Sequence, residues 1–227
     1  MTFSWRLVND QRVQAYYEKY LDHPFVKGLG EGTLSRDRFK QYLIQDSLYL
    51  KDYGKVYAGA FLLVDRIEDL QFLHSCIGVV VSDETNMHTQ YLMDYGLDVY
   101  KVDKDPVLPE NRAYLDYMLS FLPTGNVKEI FMSALPCTLT YEHIGKALKE
   151  GYKDNLESNY YKAWIEAYAG KEFEEFSLES CRLLDRICEG ISKEEEEHLI
   201  QIFLTSCEYE MAFWDMSYKM NEGEYSC

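Results

Sequence analysis

The chain is short of the residues and patterns that define many other protein classes. Its five prolines fall mostly where a helix would end in any case. No run alternates apolar and polar residues long enough to read as a strand, and Val79-Val80-Val81 is the one β-leaning stretch, with helical flanks. None of the six cysteines forms a Cys-x-x-Cys pair, so a zinc site of that kind is not indicated. With five histidines and no recurring Glu-x-x-His motif, the ligand set of a helical di-iron centre is incomplete. No basic cluster offsets the net charge of −16, which argues against nucleic acid or an anionic membrane as a partner. The longest apolar stretch, Val56 to Val81, is broken by Asp65, Arg66, Glu68 and Asp69, so no membrane span is expected. Met1-Thr2-Phe3-Ser4-Trp5-Arg6 opens an amphipathic pattern rather than an apolar signal core. The cysteines are therefore expected as free thiols in a reducing cytoplasm.

What the chain does have is helix signal and tyrosine. Val8 to Leu21 carries Val8, Val13, Tyr16, Tyr17 and Tyr20 on one side. The glycine-rich segment His23 to Leu34 reads as a connector, since it lacks the Gly-x-Gly-x-x-Gly spacing and preceding strand of a dinucleotide site. Ser35 is a good N-cap for a helix reaching about Val64. Further helices are expected over Glu68–Tyr95, Glu110–Leu122, Val127–Lys149, Asn159–Tyr168 and Phe173–Glu189, with a loop from Leu97 to Pro109. In the last, Ser192 to about Met220, Ser192 and Glu195 have capping-box spacing. The expected architecture is all-α: a single-domain bundle of about seven to nine helices over residues 1–220, with a short tail at 221–227. Twenty tyrosines and eleven phenylalanines suit either packing around a flat polar ligand or a subunit interface.

Three helices set polar groups on otherwise apolar faces. Asp46 lies between Tyr42 and Tyr49. Cys137 follows Pro136, where a proline inside a helix should bend or loosen it, and Tyr141 stands one turn on. Glu210 and Phe213 are i, i+3 neighbours, and Glu208 should point elsewhere. A thiol, two acids and aromatic rings form a coherent set for attack on a planar heterocycle: the thiolate adds to a ring carbon, one acid protonates a ring nitrogen, and the other holds an exocyclic amine. A competing set is metallic. Glu84 and His88 stand at i, i+4 and with Asp46, Glu208 or Glu210 could ligate iron; otherwise they are a helix-surface pair.

Taken together, these pieces resemble the TenA / thiaminase II family. The resemblance rests on His23-Pro24-Phe25-Val26 with Gly28 and Gly30 to Leu34, and on Phe39-Lys40-Gln41-Tyr42 leading to Gln45-Asp46-Ser47-Leu48-Tyr49-Leu50. It continues through Leu135-Pro136-Cys137 with Tyr141-Glu142, Trp164-Ile165 to Gly170, and Tyr209-Glu210 with Phe213-Trp214. It implies a haem-oxygenase-like all-α fold without haem, metal or organic cofactor, assembled as a homotetramer. It implies hydrolysis of 4-amino-5-aminomethyl-2-methylpyrimidine, and in some members of thiamin, in thiamin salvage. By the same resemblance Cys137 is the nucleophile and Glu210 the acid–base group. Asp46 binds the aminopyrimidine edge, and Tyr49, Tyr114, Tyr141, Tyr168 and Phe213 line the pocket, with Tyr117 a rival to Tyr114. Thr138, Thr140 and Ala169 depart from the family's bulkier or glycine residues, which bears on how a thiazole would be accepted. A non-catalytic pyrimidine-binding regulator and the di-iron oxygenase remain the alternatives.

Overall fold

In the computed structural model, residues 1–78, 84–102 and 104–219 are described, without the side chains of 84–87, 99 and 100. The valine run at 79–81 and the tail at 221–227 lie outside the described residues. Twelve α-helices are present among the described residues. They are α1 (Phe3–Val8), α2 (Gln11–Asp22), α3 (Pro24–Glu31), α4 (Arg36–Phe61), α5 (Ile67–Gly78) and α6 (Glu84–Asp94). Then come α7 (Val99–Val102), α8 (Pro109–Leu119), α9 (Val127–Gly151), α10 (Lys162–Tyr168), α11 (Lys171–Ile187) and α12 (Lys193–Lys219). The all-α reading is correct, and the helix count is higher than expected.

Two expected loops are helical. The segment read as a connector forms α3, because Pro24 fits the first helical turn, His23 caps it by accepting the Phe25 amide (3.1 Å), and Gly32 closes it at φ +73°. Its glycines allow close packing: a Cβ on Gly30 would fall 2.3 Å from the Tyr152 ring. The Leu97–Pro109 loop contains the single turn α7. The start of the chain also differs, since Thr2 and Asp10 cap two separate helices, α1 and α2. Ser192 does accept the Glu195 amide (3.1 Å), but the Glu195 carboxylate pairs with Lys128 on α9, an ion pair that ties α12 to α9.

The architecture centres on α9. It packs against α2, α3, α4, α8, α10, α11 and α12, so nearly every side of it is buried. Pro136 sits inside this helix, and the chain stays helical through it. The turn before a proline loses regular hydrogen bonding. Here hydroxyls from two neighbouring helices reach the carbonyls of that turn: Ser206 on α12 donates to Ser133 (2.8 Å) and Tyr53 on α4 donates to Ala134 (3.0 Å). The unusual turn is thus bolted from both sides.

On the opposite side of α9, Gly145 lets α10 come close. A Cβ there would lie 2.7 Å from the backbone carbon and Cβ of Tyr168 and 2.8 Å from the Ala169 nitrogen. Gly145→Ala gains about 1 kcal/mol of helix propensity but forces a backbone clash costing about 1–3 kcal/mol. The expected net result is a lower urea midpoint at unchanged slope, measured by circular dichroism.

Candidate active site

α4, α8, α9 and α12 pack on one another around a small, narrow cavity. Each helix contributes through its own periodicity. Asp46 and Tyr49 are i, i+3 on α4, Cys137 and Tyr141 are i, i+4 on α9, Glu210 and Phe213 are i, i+3 on α12, and Tyr114 comes from α8. These seven residues line the cavity. Cys137 is half-buried and the other six are buried. Four segments far apart in sequence therefore put one thiol, two carboxyls and four rings around one space.

The electrostatics separate the two acids. Glu210 is 2% exposed, and burial pushes its carboxyl up to about 8, against the lowering effect of a hydrogen bond from the Tyr114 hydroxyl (2.9 Å). Near neutral pH it is mostly a protonated acid with a proton to give. Asp46 has His88 beside it, with His88 Nδ1 3.3 Å from Asp46 Oδ2. His88 is itself buried, and desolvation lowers it to about 4, so it is a neutral imidazole at ordinary pH.

His88 departs from the helix-surface reading, since it is buried. It faces Asp46 and lies edge-on to Tyr42 (ring planes at 82°). The side chain of Glu84 lies outside the described residues. Among the described residues, no three His, Cys, Asp or Glu side chains are grouped as a metal site. The usable signal for His88 was its own helix: Tyr91 and Leu92, one turn on, are buried with it.

Tyr168 does not line the cavity. It stands behind Tyr141 (ring centroids 4.9 Å apart) and against Trp164 (4.6 Å). Trp214 packs on Tyr141 (5.2 Å) and stacks on Tyr42 at 19°, while Trp164 Nε1 donates to the Tyr42 hydroxyl (3.3 Å). These residues form an aromatic backing that fixes Tyr141 in place. Tyr114, not Tyr117, is the cavity residue; the Tyr117 hydroxyl reaches the Ile202 carbonyl (3.4 Å) instead. Glu208 points away, as expected, and accepts from the exposed Tyr16 hydroxyl (3.0 Å).

Known proteins are similar to this chain in sequence and in fold. The aminopyrimidine aminohydrolase of Helicobacter pylori is 34% identical over 92% of this chain and 96% of its own. That of Halalkalibacterium halodurans is 30% identical over 95% of this chain and 96% of its own. A TenA family transcription regulator from Silicibacter sp. TM1040 has a crystal structure that superposes with a TM-score of 0.86. It is 26% identical and covers 96% of this chain and 97% of its own. No helix among the described residues is long and apolar enough to cross a membrane. The family model TENA/THI-4/PQQC matches residues 10–220, and the chain belongs to that family.

Proposed function

We propose that this chain is an aminopyrimidine aminohydrolase of the thiaminase II type, converting 4-amino-5-aminomethyl-2-methylpyrimidine and water to the hydroxymethyl pyrimidine and ammonia. The observation that carries the reading is the meeting of Cys137, Glu210 and Asp46 on one small cavity among aromatic rings. The names of the relatives support the same activity. The homotetramer and the cytoplasmic location belong to the same proposal.

Direct displacement at the aminomethyl carbon faces a poor leaving group, and the proposed residues avoid it. The Cys137 thiolate forms a bond to a ring carbon while Glu210 delivers its proton to a ring nitrogen. The aminomethyl group enters as its ammonium, and the electron pair of the resulting enamine expels it as ammonia, leaving an exocyclic methylene. Water adds to that methylene and gives its proton to the Glu210 carboxylate. The C–S bond then breaks, the ring nitrogen loses its proton, and the aromatic ring returns. Asp46 accepts from the amino group of the ring, and Phe213, Tyr49 and Tyr114 hold its faces.

A second reading takes its cue from the name of the Silicibacter relative, a transcription regulator: this chain would then bind a pyrimidine without turning it over. The net charge of −16 weighs against a DNA-contacting version. Mass spectrometry of purified protein incubated with the aminomethyl pyrimidine separates the two. The aminohydrolase yields hydroxymethyl pyrimidine and ammonia in equal amounts. Binding without product supports the regulator and removes the proposal. With Glu210 acting in its acid form, kcat/KM should fall as pH rises through about 8.

A further inference from the structure

α8 brings Tyr114 to the cavity, yet its start has no side-chain cap of its own. The cap comes from α4. Gln45 Oε1 accepts from the Leu108 amide (2.9 Å) and from Asn111 Nδ2 (3.1 Å), and Gln45 Nε2 donates to the Pro106 carbonyl (3.0 Å). Asn111 Nδ2 also donates to the Gln45 carbonyl (2.7 Å). Gln45 is 2% exposed and Asn111 is fully buried. Burying two amides is costly unless they are paired, and Asn111 Oδ1 is left without a partner. Leucines at both positions would fill the space without that cost. What the amides add is a fixed register, since directional bonds tolerate little sliding.

The register matters because the bolt and the cavity share the same turns. Gln45 directly precedes Asp46 and lies one turn before Tyr49. Asn111 is one turn before Tyr114 on α8. Tyr114 stacks on Tyr209 (5.5 Å, 7°), packs on Tyr49 (5.4 Å) and donates to Glu210 Oε1 (2.9 Å). A small slide of α8 along α4 would take its hydroxyl off Glu210.

We propose that Gln45 and Asn111 are positioning residues for the reaction, setting α8 on α4 so that the Tyr114 hydroxyl meets Glu210. The inference rests on the aminohydrolase reading. Glu210 is faced by Tyr114 from α8, by Asp46 and Tyr49 from α4, by Cys137 and Tyr141 from α9, by Tyr20 from α2, and by Cys207 on its own helix. Tyr114 is the group that donates to it. A donor to a carboxylate favours its charged form, so loss of that bond moves the Glu210 titration further up.

The test is the pH profile of kcat/KM for the aminomethyl pyrimidine, on Gln45→Met and Asn111→Ser, each checked for fold by circular dichroism and melting. Both should shift the alkaline limb upward by about half a unit or more and lower kcat on the order of tenfold. Tyr114→Phe should shift the limb by itself, and adding Gln45→Met to it should shift it no further, because the two act through one bond. An unmoved limb in a folded Gln45→Met or Asn111→Ser overturns the inference, as does a full additional shift in the Tyr114→Phe background. A wild-type protein that makes no product removes the aminohydrolase reading and this inference with it. That failure is distinct, because wild type and variants are then equally silent.

Discussion

Cys137→Ala abolishes turnover of the aminomethyl pyrimidine, by on the order of 10³-fold or more, and leaves the fold and ring binding in place. The loss is large because Cys137 is the one thiol among the lining residues, and a thiolate adds to a ring carbon far more readily than the carboxyls or phenols beside it. The fold survives because Cys137 is half-buried and alanine is a good helix former. The carbonyls of the proline turn are held by Ser206 and Tyr53, not by the thiol. Single-turnover kinetics and calorimetric titration with the hydroxymethyl product check the two halves. Turnover near the wild-type rate would sink the covalent path while leaving family membership untouched. A loss of ring binding as large as the loss of rate would make Cys137 a packing residue.

Glu210→Gln should lower kcat by about 10²–10⁴, the usual worth of a positioned general acid and base. It should also remove the alkaline limb near pH 8. The same substitution should make the folded protein more stable at alkaline pH. The folded carboxyl titrates at about 8, above its ordinary value of 4.5. Its contribution to stability is therefore fully present below 4.5 and is lost as pH rises through 8, since the unfolded chain ionises first. Over that window the difference is of order several kcal/mol. Glutamine never ionises, and its oxygen can still accept from the Tyr114 hydroxyl. Urea unfolding of both proteins at pH 5 and pH 9 should show the variant gaining on the wild type at the higher pH. Parallel pH dependence of the two would mean that Glu210 is not the buried acid of this site.

Much of this site was readable from periodicity, because acids and a thiol on apolar helix faces are conspicuous. Asp46, Cys137 with Tyr141, and Glu210 with Phe213 were each visible on a single helix. That the faces meet rested on the resemblance, since nothing local says which helix packs on which. Partners that act across helices were the ones missed. Gln45 reads as one more polar residue until α8 is placed against it. His88 reads as half of a surface pair until α6 lies on α4. The helix α3 was missed for a different reason. Two glycines within its eight residues lower helix propensity, but both, Gly28 and Gly30, are enclosed by Leu34 and by Tyr152 with Leu148, so packing outweighs the local penalty. Tyr168 was placed one layer too far forward, because a family pattern names a residue without its depth.

The proline turn of α9 has a consequence for how the molecule opens. In an isolated helix, the residues around Pro136 would be where fraying begins. In this fold the Ser133 and Ala134 carbonyls are held by side chains on α12 and α4. The turn can open only when both neighbours let go, which amounts to opening the whole bundle. A local weak point is thereby made part of the most cooperative unit of the protein, and its amides should exchange with solvent only through global unfolding. The thiol it carries is held still for as long as the protein stays folded.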